Sequence, residues 1–569
     1  MRDTLDIKFS VWRFYLLSFF ILLVVMGLVA RIIDLSVIKR QFLENQGNAR
    51  SLRTINQSAF RGMITDRNGY PLAISTSVFS IWINPKEFEL DNIKNLHALA
   101  EILGLKSKNI QALLQSNKNK KREFIYLKRQ VSPPVAKEIK SLKIPGVYTQ
   151  QDYKRYYPEG EVAAHLIGFT NVDDHGQEGL ELSYNDWLSG VAGKEKVIKD
   201  RMGRIINNVE MLKQQKPGHD LALSINRRIQ YLAYRELLDG VKKNVAVSGS
   251  VVVLDVQTGE ILAMVNQPSF NPNNMTGQTK DSMRNRALTD SFEPGSTMKS
   301  FSAVTALESG KYKPDSQVDT TPGWIRVGNH TLRDEHMKGV LNLMQILQFS
   351  SNVGMTKIIL TLPPGQLWNL LHRMGFGEVT GVGFPGEQSG RLVNRPIWKP
   401  LALATLSFGY GISVTATQLA HAYATIANDG VKVPLSLVRL DAPPAGERVI
   451  SSKIAHEMLD MLQSVLAKGG TGEAARVPGY SVAGKTGTAW ISENKSYQKH
   501  RYTSTFVGMA PASHPRLVVA VVIHEPRGKQ FLGGFVSGPV FERIMEGSLR
   551  ILNIPPDEPQ LLQQAKPAV

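Results

Sequence analysis

Glu293-Pro294-Gly295-Ser296-Thr297-Met298-Lys299 sets a serine hydroxyl and a lysine amine three residues apart, directly after a Pro-Gly breaker. If Ser296 opens a helix, the i, i+3 spacing brings Lys299 beside it on one face. A helix N-terminus carries partial positive charge and free N–H donors, which disfavour a protonated lysine and favour an oxyanion next to the serine. A serine becomes a useful nucleophile once a neighbouring base takes its proton, and a neutral lysine can do that. The stretch thus reads as a nucleophile with its base attached. S-x-x-K is short, however, and the chain holds four matches: Ser36/Lys39, Ser296/Lys299, Ser492/Lys495 and Ser496/Lys499. Something outside the motif must choose among them.

Length and composition set the frame. The 569 residues allow two or three domains, and 42% hydrophobic with 20% charged residues is the balance of a folded protein. The chain has no cysteine, which excludes disulfide scaffolds and thiol catalysis and removes most structural zinc sites. A net charge of +18 suits an anionic neighbour: nucleic acid, a membrane surface or an acidic wall polymer. No nucleic-acid module accompanies the charge, so no nucleic-acid partner is expected.

Phe14 to Ala30 is apolar apart from Ser18 and Gly27, and Ile32 and Ile33 follow Arg31. That is enough for one transmembrane helix, and Leu28-Val29-Ala30 is a poor cleavage site, so a retained anchor is expected over residues 14–35. Arg2, Lys8 and Arg13 precede the span and Arg31, Lys39, Arg40 and Arg50 follow it, so charge does not decide its orientation.

Beyond the anchor, residues 36–223 alternate short strand-like and helical pieces. Ala59 to Ala73 reads as two strands around Asn68-Gly69, and His97 to Leu114 has helical periodicity. Lys118 to Arg129 holds six basic residues, read either as a solvated loop or as a contact for an anionic lipid or glycan. From about Ser224 the texture changes. Ser250 to Val256 and Glu260 to Asn266 form a hairpin over Gln257-Thr258-Gly259. Helical stretches follow at Ser296 to Ala306, Leu343 to Leu362, Ser413 to Asn428 and Ile454 to Ala467. Tyr480 to Ile491, Thr503 to Met509 and Leu517 to His524 are strand-like, and Phe541 to Leu552 is a closing helix. Strands at both ends with helices between them predict an α+β domain on one sheet over residues 224–552, followed by a flexible tail, 553–569.

Lys485-Thr486-Gly487-Thr488 lies inside a strand-like run, where a glycine marks close approach of another backbone or a ligand. Gly479 to Thr486 also fits G-x-x-x-x-G-K-[ST], but a phosphate-binding loop must open a helix, and Gly487 to Ile491 continues as strand. His456-Glu457 lacks the second histidine of a zinc helix, and His330 and His336 beside Asp334 and Glu335 read as a surface turn, so no metal is expected. Gly469-Gly470-Thr471-Gly472 reads as a helix cap and turn.

Ser296/Lys299, then Ser350/Asn352, then Lys485/Thr486/Gly487 is the ordered set that resembles the penicillin-binding and serine β-lactamase superfamily. The order eliminates the decoys: Ser492 and Ser496 follow the K-T-G element and Ser36 abuts the anchor. Arg61-Gly62 to Ala73, Tyr156-Tyr157-Pro158 to Gly168 and Gly179-Leu180-Glu181 resemble the pedestal of class B penicillin-binding proteins. Ser350 to Gly354 and Phe408-Gly409-Tyr410-Gly411 resemble the division-specific FtsI type. The resemblance implies a cytoplasmic tail (residues 1–13), the anchor, a mixed α/β pedestal of dimerisation type, and a transpeptidase domain with an antiparallel sheet flanked by helices. It implies a single-pass inner-membrane protein with its catalytic domain in the periplasm and no cofactor. The implied activity is that of a serine D-Ala-D-Ala transpeptidase cross-linking septal peptidoglycan. Its implied partners are stem peptides and their lipid-linked precursor, β-lactams, an FtsW-type glycosyltransferase and other division proteins. The resemblance then makes Ser296 the nucleophile, Lys299 its base, Ser350 a proton relay and Asn352 a group that orients the substrate amide, while Lys485 adds positive potential that helps keep Lys299 neutral and attracts the terminal carboxylate. Thr486, Gly487 and Thr488 would hold the substrate carboxylate and supply an oxyanion N–H. The resemblance also implies a second reading of Gly469 to Gly472, as an indirect contributor to the cleft. Two other classes share parts of the pattern: a β-lactamase or penicillin sensor, and a non-catalytic division scaffold.

Overall fold

The computed structural model describes residues 11–88, 93–118, 122, 124–199, 205–493 and 496–559. The chain forms two compact units, one of residues 1–59, 77–153 and 190–217, the other of residues 60–76, 154–189 and 218–569.

In the first unit, α1 (Val11–Ile33) runs into a short π-helical turn, Asp34–Ile38. The most apolar 18-residue window within Val11–Ile38 has a mean hydropathy of 2.7 and no buried side chain, so this helix is long and apolar enough to cross a membrane. After β1 (Leu52–Gln57), β2 (Pro71–Ile83) contributes its second half to this unit. The helical periodicity over His97 to Leu114 is realised as two helices, α2 (Ile93–Leu103) and α3 (Ser107–Lys118). Gly104 at φ 63° ends the first, a backbone state that glycine adopts at little cost. Then come β3 (Ile125–Val131), α4 (Pro133–Ser141) and β4 (Val147–Tyr156), with β3 and β4 both pairing with β2. The helices cover one face of this sheet, burying Ile81, Ile83 and Ile125 against Leu99, Leu103, Leu114 and Ile139. β5 (Gly193–Lys199) and β6 (Ile205–Lys213) complete a second, three-stranded antiparallel sheet with β1. Within the basic run, residues 119–121 lie outside the described residues.

The second unit is organised on a five-stranded sheet. After α5 (Arg227–Lys243), the hairpin β7 (Ser248–Asp255) and β8 (Ile261–Gln267) forms as expected. The chain then passes through α6 (Lys299–Glu308), α7 (Leu343–Gln348), α8 (Asn352–Ile359), α9 (Ala416–Ala427) and α10 (Ser452–Ser464). It returns to the sheet with β9 (Ala483–Glu493), β10 (Ser496–Ala510) and β11 (Leu517–His524), and closes with α11 (Gly538–Ile551). The order is β8-β7-β11-β10-β9, every pair antiparallel, with Val252 opposite Ala520 and Lys485 opposite Val507. Val251, Val252 and Val253 are all buried, as are Val519, Ala520 and Val521, so both sheet faces need helical cover. α5 and α11 pack together on the sheet, and α9 lies across β7, β11 and β10.

Residues 36–223, expected as the pedestal, contribute to both compact units. Residues 60–76, 154–189 and 218–223 share the core of the second unit, through Ile64, Leu72, Leu166, Leu180 and Leu221 among others. The buried Glu181 carboxylate joins these segments, accepting from Arg61 Nε at 2.5 Å and Arg155 Nε at 2.6 Å. Within the expected tail, 553–569, Asp557 Oδ1 accepts from the Ser481 amide at 2.8 Å and the Ile554 carbonyl from Tyr480 Oη at 2.7 Å, and residues 560–569 lie outside the described residues. Leu343 to Leu362 is largely helical, as expected, in two helices separated where Ser350 takes φ 58°.

Candidate active site

Ser296 sits in a 3₁₀ turn, Gly295–Met298, that feeds α6 at Lys299. In a 3₁₀ turn side chains at i and i+3 eclipse, which brings the two functional groups closer than an α-helix would. Gly295 takes φ 55° and lies under β9: a Cβ there would sit 3.0 Å from the Thr488 carbonyl. Thr297 Oγ1 donates to the Pro294 carbonyl at 2.8 Å, and Tyr423 Oη donates to the Thr297 carbonyl at 2.8 Å. The nucleophile turn is therefore clamped from both sides. From Lys299 to Leu307 every residue of α6 is buried, so the helix holds the turn from within the core.

Lys299 Nζ has four oxygens within reach: Ser296 Oγ at 3.0 Å, Ser350 O at 2.6 Å, Ser350 Oγ at 3.1 Å and Asn352 Oδ1 at 2.7 Å. The two short contacts are to carbonyl oxygens, which can only accept. A neutral amine spends its two N–H bonds on them, and its lone pair is then left for a serine hydroxyl. An ammonium spends its third N–H on a serine oxygen instead. Burial tips the balance, pulling the Lys299 amine down to about 7, against the opposing pull of Asp334 and Glu335.

Ser350 and Asn352 reach Lys299 from the break between α7 and α8. The left-handed backbone at Ser350 is costly for a residue with a Cβ, on the order of 1 kcal/mol. It lets both the carbonyl and the hydroxyl of one residue face the amine. Ser351 caps α8, its Oγ accepting from the Gly354 amide at 2.9 Å. Asp334 locks that cap: Oδ2 accepts from Ser351 Oγ at 2.6 Å and Oδ1 from the Val353 amide at 2.9 Å. Asn352 Nδ2 donates to the Arg333 carbonyl at 3.0 Å, which fixes its oxygen toward Lys299.

The third group is on β9, an edge strand. A Cβ on Gly487 would lie 2.8 Å from the Pro294 carbonyl and 2.9 Å from Thr297 Cγ2, so glycine lets the strand approach the nucleophile turn. Trp490 N–H donates outward to Tyr410 Oη at 3.4 Å, and by the two-residue strand period the Thr488 N–H faces the same edge. Thr488 Oγ1 accepts from the Gly533 amide at 3.0 Å and keeps its own proton to donate. Thr486 Oγ1 instead donates to Thr471 Oγ1 at 3.0 Å, which ties the Gly-rich loop to the strand. Lys485 is fully buried, and both burial and the Lys299 charge push its amine well below the ordinary lysine value. The sequence reading has Lys485 keeping Lys299 neutral by charge. In the structure burial is what lowers the Lys299 amine, and the charge effect between the two runs from Lys299 onto Lys485.

Sequence reasoning missed Asp334, because a carboxylate in an exposed turn carries no signal of the helix cap it reaches. It also missed Glu293, whose Oε1 accepts from the Gly411 amide at 2.9 Å and whose carboxyl is pushed upward by burial. Of the competing S-x-x-K matches, Ser36 donates to the Ile32 carbonyl within the N-terminal helix, and Lys495 lies outside the described residues.

Comparison with known proteins adds an independent line. A family described as the penicillin binding protein transpeptidase domain matches residues 249–546, and one described as the penicillin-binding protein dimerisation domain matches residues 56–223. The chain is 45% identical to peptidoglycan D,D-transpeptidase FtsI of Escherichia coli K12, over 97% of this chain and 93% of the relative. It is 45% identical to the probable peptidoglycan D,D-transpeptidase PbpC of Pseudomonas aeruginosa, over 96% and 97%. Among solved structures, a peptidoglycan synthetase from Bifidobacterium adolescentis is similar at a TM-score of 0.70 and 27% identity, covering 91% of this chain and 98% of that one.

Proposed function

The chain belongs to the class B penicillin-binding proteins of FtsI type, and from that premise we propose that it is a membrane-anchored peptidoglycan D,D-transpeptidase that cross-links stem peptides during division. The observation that carries the reading is the enclosure of Lys299 Nζ by Ser296 Oγ, Ser350 and Asn352 Oδ1.

In this mechanism Ser296 Oγ attacks the carbonyl of the penultimate D-Ala while Lys299 takes its proton. The N–H groups of Ser296 and Thr488 receive the developing oxyanion, an interaction worth roughly 3 kcal/mol per donor in comparable sites. Ser350 Oγ passes the proton from Lys299 to the departing D-Ala amine, and Asn352 orients the substrate amide. Thr488 donates to the terminal carboxylate. Thr486 joins it by turning its proton away from Thr471, and Lys485 supplies positive charge once the carboxylate is present to stabilise its ammonium. An amine from a second stem peptide then attacks the acyl-enzyme, releasing Ser296 and forming the cross-link. β-Lactams acylate the same serine.

The family also supports residues 1–13 in the cytoplasm, 14–35 in the inner membrane, and the pedestal and catalytic domain in the periplasm, working beside an FtsW-type glycosyltransferase and other division proteins. Reconstituted with a pentapeptide-bearing donor strand and an amine acceptor, the full-length protein should release one D-Ala for each cross-link formed. Release of D-Ala to water without cross-links would instead mark a hydrolase, and fast turnover of free penicillin would mark a β-lactamase.

A further inference from the structure

The sheet of the first unit is covered by helices on one face, so alternation predicts polar residues on the other. Four aromatic side chains stand there instead. Trp82 on β2 lies opposite Tyr126 on β3, with Tyr148 on β4 beside it and Phe124 two residues before Tyr126 on the same side. The rings form one continuous row: Tyr148 to Trp82 at 4.4 Å between centroids, Trp82 to Phe124 at 4.6 Å, Phe124 to Tyr126 at 4.8 Å. Phe124 and Tyr126 remain 44% and 38% exposed at one end of it.

The row is bounded by polar groups. The Tyr148 hydroxyl donates to the Glu87 carboxylate at one end, and the Arg129 guanidinium lies 4.9 Å from the Tyr126 ring at the other. Exposed Arg122, two residues before Phe124, adds positive charge, whereas the Lys128 amine donates to the Leu103 carbonyl and the Arg129 guanidinium is shared with the Asp152 carboxylate at 3.4 Å. Protein interfaces also favour Tyr, Trp, Phe and Arg, but their centres are depleted of acidic groups such as the Glu87 carboxylate that closes this row. Aromatic rings flanked by hydroxyl, carboxylate and guanidinium groups match a sugar, whose C–H faces pack on rings while its hydroxyls need donors and acceptors. The exposed Arg122 guanidinium further favours a chain that carries carboxylates over a neutral one.

We infer that this aromatic strip binds the glycan strand of peptidoglycan, an anionic amino-sugar polymer, at a site distinct from the Ser296 centre. The identity of the polymer rests on the transpeptidase reading; the chemistry of the strip does not. A glycan hold outside the catalytic centre would keep the strand with the enzyme between successive cross-links.

The test measures retention of the full-length protein, in detergent, on surface-captured glycan strands stripped of their stem peptides. A Phe124→Ser/Tyr126→Ser variant changes two exposed rings and leaves the core untouched, and fluorescent penicillin labelling of Ser296 reports on folding and on the catalytic reading separately. The wild type should be retained and the variant should bind roughly tenfold more weakly, with equal penicillin labelling, as expected for the loss of two packing rings. Equal retention of both proteins, no retention of the wild type, or retention that requires the stem peptides would overturn the inference. Absent labelling in both proteins with the retention difference intact would support the strip and count against the transpeptidase reading.

Discussion

Lys299 Nζ rests 2.6 Å from the main-chain oxygen of Ser350, a residue held at φ 58°. The base is thus gripped by backbone, and the Ser350 hydroxyl, 3.1 Å away, is an added group and not the anchor. Holding the amine and relaying its proton are therefore separable.

Replacing Ser350 with alanine should keep the carbonyl contact and the Asn352 contact, so the fold and the position of Lys299 survive. Loss of the relay hydroxyl should slow acylation by penicillin by on the order of 10²-fold. Stopped-flow acylation paired with a thermal melt checks both halves; a large drop in melting temperature would mean that the hydroxyl is structural.

Acylation should rise with pH about tenfold per unit below about 7 and flatten above it, because burial lowers the Lys299 amine to about 7 and the neutral form is the base. The same shift makes the unfolded chain bind more protons between about 7 and the ordinary lysine value. Stability from this group therefore rises with pH across that window, and its burial penalty is fully present below it. A rate still climbing at pH 9 would show a lysine of ordinary basicity.

Asp334→Asn should act in two ways. It weakens the cap on α8, which orients Ser350 and Asn352. It also removes a negative charge that holds the Lys299 amine up, so the midpoint of the pH–rate profile should move to lower pH. A purely structural role would lower the plateau rate and leave the midpoint in place.

Much of the site is legible in the sequence because local geometry writes it there. Ser296 and Lys299 are paired by a single helical turn, and the glycine of Lys485-Thr486-Gly487 announces the close approach that Gly487 makes to Pro294. The missing parts are long-range. Asp334 caps a helix that begins eighteen residues later, as Asn352, and Asp557 reaches back to Ser481. Residues 60–76 and 154–189 join the second unit through Arg61, Arg155 and Glu181, three charges whose partners no periodicity reveals. The break at Ser350 is equally silent, since a serine carries no preference for a positive φ.

Glu181→Ala should strand two buried guanidinium groups, Arg61 and Arg155, and destabilise the second unit by roughly 3–5 kcal/mol. Chemical denaturation measures this directly. A loss below about 1 kcal/mol would show that water or other acceptors replace the carboxylate.

The central claim is that Ser296, and none of the other three serines in S-x-x-K matches, is the acylated nucleophile. Incubating the full-length protein with fluorescent penicillin and sequencing the labelled peptide by mass spectrometry tests it most directly. A single adduct on Ser296, abolished in Ser296→Ala, is the predicted result. An adduct on Ser492 or Ser496, or labelling that survives Ser296→Ala, would contradict it.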